Sequence, residues 1–165
     1  MEPMIQHMIQ EHEVIQAVND VFIKMDKFDW DGFVEGFADE VEDDYTSVFQ
    51  GGTHKVKHED ILERWSYLKK FTALYHSLTN HKVAIYGEEA DYSSYVYSLH
   101  CLPNDAGGED IWKVIGFYDY HLIKTNKGWK IDKMKFTAVS ITGTQVLKRL
   151  GIYEKLQEKW KDERV

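Results

Sequence analysis

Cysteine is nearly missing from this chain. Cys101 stands alone in 165 residues, so no intrachain disulfide and no CxxC redox pair can form. Proline occurs twice, at Pro3 and Pro103, and no stretch is rich in glycine and serine, so no flexible interdomain linker is visible. No apolar run approaches the ~18 residues of a membrane-spanning helix. The start, Met1-Glu2-Pro3-Met4-Ile5-Gln6-His7, lacks the basic-then-apolar order of a secretory signal, and a cytoplasmic location is expected. Basic charge is also short. With 20 Lys and Arg against 28 Asp and Glu, the net charge is -8. Nucleic acid and anionic membrane both demand a basic footprint, so neither is expected as a partner.

Signature motifs are equally sparse. None of the eleven glycines forms GxGxxG or a phosphate loop, and no HExxH occurs. His54 and His58 stand four apart but straddle a strand and a helix start, with no third ligand in register. No metal is therefore expected, and nothing in the chain asks for a cofactor. The acidic run Asp39-Glu40-Val41-Glu42-Asp43-Asp44 lacks calcium-loop spacing and reads as a solvated loop and edge strand.

What is present is material for a core: 43% of the residues are hydrophobic and 14% aromatic. The length suits one domain covering residues 1–165. Val14, Val18, Val21, Phe22 and Met25 fall on one helical stripe, which predicts a helix from about Glu11 to Asp26. Asp29 can cap a second helix that buries Trp30, Phe33, Val34 and Phe37. Val41 to Phe49 reads as a strand, turned back at Gly51-Gly52. Ile61, Leu62, Trp65 and Leu68 give a third helix its apolar face.

Strands follow. They are predicted at Tyr75–Tyr86, Asp91–Leu102, Ile111–Thr125 and Trp129–Thr142. Alternation puts Tyr92, Ser94, Val96, Ser98 and His100 on one face of the second of these, and Tyr95, Tyr97, Leu99 and Cys101 on the other. Cys101 thus faces away from His100. Asn126-Lys127-Gly128 makes a hairpin turn. Thr144 to about Lys161 reads as a helix bent near Gly151, with an apolar stripe from Val146 to Trp160. The sum is an α+β fold: helices against a curved antiparallel sheet that encloses a cavity for a small apolar ligand.

Two residues carry the chemical interest. Asp26 ends the first helix, and His76 enters the first long strand within Tyr75-His76-Ser77-Leu78-Thr79-Asn80-His81. If the fold joins them in a pocket, they form a general base and the carboxylate that orients it.

Three stretches carry a resemblance: Met25-Asp26-Lys27-Phe28-Asp29-Trp30-Asp31, His76-Ser77-Leu78-Thr79-Asn80-His81, and Gly128-Trp129-Lys130-Ile131. In this order and spacing, across roughly residues 10 to 140, the chain resembles the SnoaL-like families of the nuclear transport factor two-like superfamily. Within them it is most similar to the scytalone dehydratases and the hexachlorocyclohexane dehydrochlorinases. The resemblance implies a cone-shaped sheet wrapped around N-terminal helices, and residues from about 144 to 165 read as a C-terminal helical extension beyond it. It implies that His76 is the catalytic base and Asp26 its orienting acid. Tyr45 matches a pocket tyrosine and His100 a second pocket histidine. Phe22, Met25, Trp30, Val96 and Tyr118 are assigned to substrate binding. Departures occur: Met25 stands where the dehydratases have a tyrosine, and Gly116 and Tyr118 where they have serine and asparagine.

The expected chemistry is proton abstraction by His76 from a carbon beside a carbonyl or leaving group. Tyr45 or Tyr118 would bond the developing oxyanion, and His100 would donate a proton to the leaving hydroxyl. The expected ligand is a small hydrophobic ring compound, handled without a cofactor in an elimination or isomerisation. A homodimer or higher homo-oligomer is the expected assembly. A non-catalytic ligand-binding protein and a partner-binding module on the same fold are the rival readings.

Overall fold

The computed structural model of the chain describes residues 2–49 and 52–159. Helix α1 runs Glu2–Asp26, starting nine residues before the predicted boundary. The stripe Val14, Val18, Val21, Phe22 and Met25 is buried as expected. The turns before it leave Met4, Ile5, Met8 and Ile9 exposed, which is why burial patterning did not mark them as helix. A short α2, Trp30–Val34, starts at Asp29, whose side chain accepts a hydrogen bond from the Gly32 amide at 3.0 Å. Phe37 does not belong to it. That residue opens β1, Phe37–Asp44. The predicted continuation of this strand to Phe49 is a turn, because the Tyr45 carbonyl accepts from the Val48 and Phe49 amides. Strand β2 is His54–Lys57. The predicted third helix is fragmented into a 3-10 turn, a short α3 at Ile61–Arg64 and a second 3-10 turn at Ser66–Lys70.

Four long strands complete the sheet: β3 Ala73–Tyr86, β4 Glu89–Pro103, β5 Glu109–Thr125 and β6 Gly128–Thr142. The six strands lie in the order β2-β1-β6-β5-β4-β3. β3 to β6 form the predicted antiparallel meander. The β1–β6 pairing is parallel, so the sheet is mixed at that seam. Burial follows alternation on β4, with Tyr92, Ser94, Val96, Ser98 and His100 all inward.

Curvature has identifiable sources. Register shifts interrupt β3 between Thr79 and Lys82, and β5 at Ile115/Gly116 and His121/Leu122. Asn80 sits in the first of these with φ 56°, a left-handed conformation that asparagine tolerates better than most residues. At Gly116 a Cβ would stand 2.2 Å from the Thr137 carbonyl oxygen and 2.6 Å from the Phe136 ring, so any side chain there would force β5 and β6 apart. The bent sheet wraps its concave face around α1, and the core fills the space between them.

The acidic run departs from its reading as a solvated loop and edge strand: it lies wholly in β1, which is paired on both sides by β2 and β6. Asp43 is fully buried on β1 and takes a two-pronged ion pair from Arg64, Nε to Oδ2 at 2.9 Å and Nη2 to Oδ1 at 3.0 Å. Alternation on β1 turns Asp43 inward, and the arginine from α3 makes that burial tolerable. After β6 the chain forms α4 (Gln145–Arg149) and α5 (Tyr153–Lys159), separated at Gly151 with φ 63°. Val146, Leu147 and Leu156 join the core. Trp160 and Lys161 lie outside the described residues. No described helix is long and apolar enough to cross a membrane.

Candidate active site

Asp26 occupies the last turn of α1. The helix closes there with a Schellman arrangement: the Asp29 amide donates to the Lys24 carbonyl at 2.9 Å, and the Phe28 amide to the Met25 carbonyl at 3.0 Å. Phe28 takes the left-handed position with φ 58°. A carboxylate at this end of a helix opposes the helix dipole. Asp26 is held by other donors. The His76 backbone amide donates to Oδ2 at 2.8 Å, and His76 Nδ1 lies 2.6 Å from Oδ1. Strand β3 therefore offers the carboxylate both its backbone and its side chain.

The carboxylate can only accept, so a hydrogen resides on Nδ1, and in the neutral tautomer Nε2 is the nitrogen with the lone pair. Among the described residues Nε2 has no hydrogen-bond partner. The His76 side chain is 5% exposed and that of Asp26 is 19% exposed. His76 lines an internal cavity between α1 and the concave face of the sheet. Phe22, Met25 and Tyr118 wall the cavity beside His76, and Tyr45, Trp65, Tyr67, Trp112 and Phe136 also line it. Its volume is about 50 Å³. An apolar cavity that admits benzene measures roughly 150 Å³, so a ring-sized ligand requires lining side chains to move.

His100 stands next to His76, ring centroids 5.4 Å apart and nearly perpendicular. Its Nδ1 lies 3.0 Å from the Trp112 carbonyl oxygen, which places the hydrogen on Nδ1. Burial first, and then neighbouring His76, lower its pKa to about 3. His100 is thus neutral at physiological pH, with Nε2 as an acceptor. His100 lines the cavity as expected, and its one hydrogen as a neutral imidazole is the Nδ1 hydrogen held by the Trp112 carbonyl.

The phenols behave oppositely. Burial raises Tyr118 well above its ordinary value, and Tyr67 and Asp26 add to the shift. Burial likewise raises Tyr45, with Tyr118 and Tyr67 contributing. Both remain protonated and can donate. Tyr118 has Asp26 and Phe22 as neighbours, whereas Tyr45 packs on Trp65 and Phe136. Tyr118 is the phenol nearer the dyad.

Phe22, Met25, Tyr45, Tyr118, His76 and His100 therefore share one cavity wall. Two expected substrate contacts do not. Val96 faces inward and is buried, but it packs in the core. Trp30 points away at the start of α2, edge-on to Phe28 and Phe33, with the Lys69 ammonium 5.5 Å from its ring. Sequence reasoning missed Trp112, Tyr120 and Tyr67. The first two share the inward face of β5 with Tyr118, so counting alternate residues from Tyr118 finds them. Tyr67, on a 3-10 turn, had no such signal.

The family model of the SnoaL-like domain matches residues 6–135. The chain belongs to the SnoaL-like family. No curated protein matches it. Among solved structures, the Kfla4162 protein of Kribbella flavida is 25% identical, with a TM-score of 0.80 over 86% of this chain and 99% of that one. A candidate scytalone dehydratase from Novosphingobium aromaticivorans is 15% identical, with a TM-score of 0.70 over 83% and 89%. The hexachlorocyclohexane dehydrochlorinase LinA-type3 of Novosphingobium barchaimii is 16% identical, with a TM-score of 0.59 over 81% and 92%. These likenesses show that the SnoaL-like chain shares their cone-shaped α+β fold.

Proposed function

We propose that this SnoaL-like protein is a cofactor-independent acid–base catalyst, a lyase of the dehydratase type or an isomerase. Its substrate would be a small hydrophobic ring compound bearing a carbonyl or hydroxyl. The observation that carries the reading is the 2.6 Å contact between Asp26 and Nδ1 of His76, a residue of the cavity wall. His76 Nε2 takes a proton from the carbon beside the carbonyl. Asp26 holds the tautomer and stabilises the imidazolium, the role a carboxylate plays in a catalytic triad. Tyr118 donates to the oxygen on which charge develops. With the His100 hydrogen held by the Trp112 carbonyl, His76 returns its proton either to carbon, completing an isomerisation, or to the leaving hydroxyl, completing a dehydration. The dehydratase and dehydrochlorinase named among the solved structures support this class of reaction.

The test uses two probes. Cyclohexanone in heavy water reports proton abstraction by deuterium uptake at its α-carbons. The β-hydroxy ketone 3-hydroxycyclohexanone reports elimination by loss of water to cyclohex-2-enone, which absorbs in the ultraviolet. Wild-type protein should accelerate one of the two, and His76→Ala should lose the acceleration while keeping its fold. Equal rates with and without His76 would end the reading. The rival reading is a non-catalytic ligand carrier on the same fold. Binding of both probes with no exchange would establish that one.

A homo-oligomer is proposed from the convex face, where Tyr95, Tyr97, Phe117 and Val139 are exposed on adjoining strands. Light scattering tests it: Tyr95→Lys should shift the mass toward the monomer, and a monomeric wild type would refute it.

A further inference from the structure

Trp112 is buried in the cavity wall, yet its indole nitrogen has no hydrogen-bond partner among the described residues. The group can only donate. A buried donor without a partner is disfavoured, and native proteins seldom keep one without a use for it. Its ring is fixed in place: His100 lies 4.4 Å away, centroid to centroid, and Phe71 stacks at 6.2 Å. The Trp112 carbonyl is the group that sets the His100 tautomer. One residue of the cavity lining thus holds an unpartnered N–H and makes its neighbour's Nε2 an acceptor.

We propose that Trp112 is a specificity-determining residue whose indole N–H receives an acceptor oxygen of the bound molecule. The cavity then prefers a ring ketone or ether over a hydrocarbon or chlorinated hydrocarbon of the same shape, since those offer no acceptor of comparable strength. His100 Nε2 completes the recognition by accepting from a hydroxyl on the same ligand. This inference rests on the reading of the cavity as a ligand site, but not on His76 acting as a base.

Cyclohexanone and methylenecyclohexane have nearly the same shape and differ in the acceptor. The sequence holds five tryptophans, so the indole N–H signals form a small set, and the Trp112 signal is the one lost in Trp112→Phe. Titrating nitrogen-15-labelled full-length protein should move that signal downfield with cyclohexanone and leave it in place with methylenecyclohexane. Trp112→Phe should weaken cyclohexanone by roughly 2- to 12-fold, the worth of one neutral hydrogen bond, and methylenecyclohexane by less. If the variant does not fold, triple-resonance assignment of the wild-type signal carries the test alone. An equal response of the Trp112 signal to both ligands overturns the inference and leaves the cavity as a ligand site. A protein whose spectrum neither ligand perturbs loses both.

Discussion

Among the described residues, two histidine–aspartate pairs share the same 2.6 Å contact and differ in their surroundings. His76 meets Asp26 between β3 and the end of α1, at a cavity wall. His121 meets Asp132 on the outer face of β5 and β6, where a register shift makes Asp132 the extra residue opposite His121 and Leu122. In the first pair Nδ1 faces the carboxylate and Nε2 has no described partner. In the second, Nε2 lies 3.4 Å from Glu89, so acids attend both ring nitrogens. Side-chain exposure is 5% and 19% for the first pair, and 20% and 21% for the second. A short contact between an acid and an imidazole therefore does not make a base. What makes one is a second nitrogen left unengaged, in a space that a substrate can enter.

The largest expected effect breaks the comparison directly. His76→Ala should cost about 10²- to 10⁴-fold in deuterium exchange of cyclohexanone, the usual contribution of a general base. His121→Ala should leave the rate unchanged. A rate that responds to His121 instead would transfer the function to the outer face.

A second experiment compares polar pairs by burial. Arg64→Met takes from Asp43 the guanidinium that grips both its oxygens in the core and should destabilise the fold by roughly 3–5 kcal/mol in urea. Asp132→Asn, at the surface, should cost about 1 kcal/mol or less. Similar losses would mean that burial does not separate these pairs.

The third concerns pH. The folded pKa of His100 is lowered to about 3 from 6.5, so the unfolded chain binds its proton first. This residue's contribution is complete above about pH 6.5 and falls as pH drops toward 3, by about 1.4 kcal/mol per pH unit. His100→Gln should remove that part of the slope from urea midpoints measured between pH 4 and 7. An unchanged slope would show that His100 is not held neutral. The smallest effect is at Phe28, where glycine fits the left-handed conformation. Phe28→Gly should raise stability by about 1 kcal/mol or less, with the lost edge contact to Trp30 subtracting from the gain.

Much of the fold was legible in the residues. Alternation on β4 and the stripe on α1 depend on nearest neighbours along the chain, and both appeared where expected. The hairpin at Asn126-Lys127 needed only local turn chemistry, with Gly128 at φ 95°. Boundaries were harder where no burial pattern marks them. The exposed first turns of α1 and the fragmented segment from His58 to Lys70 are such places. The parallel seam of β1 on β6 joins residues about ninety positions apart, and no local pattern encodes it.

Chemistry divides along the same line. Residue type and spacing nominated Asp26 and His76, because a helix end and a strand start are locally encoded. Their meeting across fifty residues is a property of the bent sheet. The charge state of His100 likewise depends on packing, since burial and the Trp112 carbonyl come from a neighbouring strand. The same holds for Trp30 and Val96, apolar residues like the true cavity wall, which the fold turned toward other partners. Periodicity says which side of an element is buried. It takes the three-dimensional arrangement to say what that side is buried against, because desolvation and hydrogen bonding act between groups that the chain order keeps far apart.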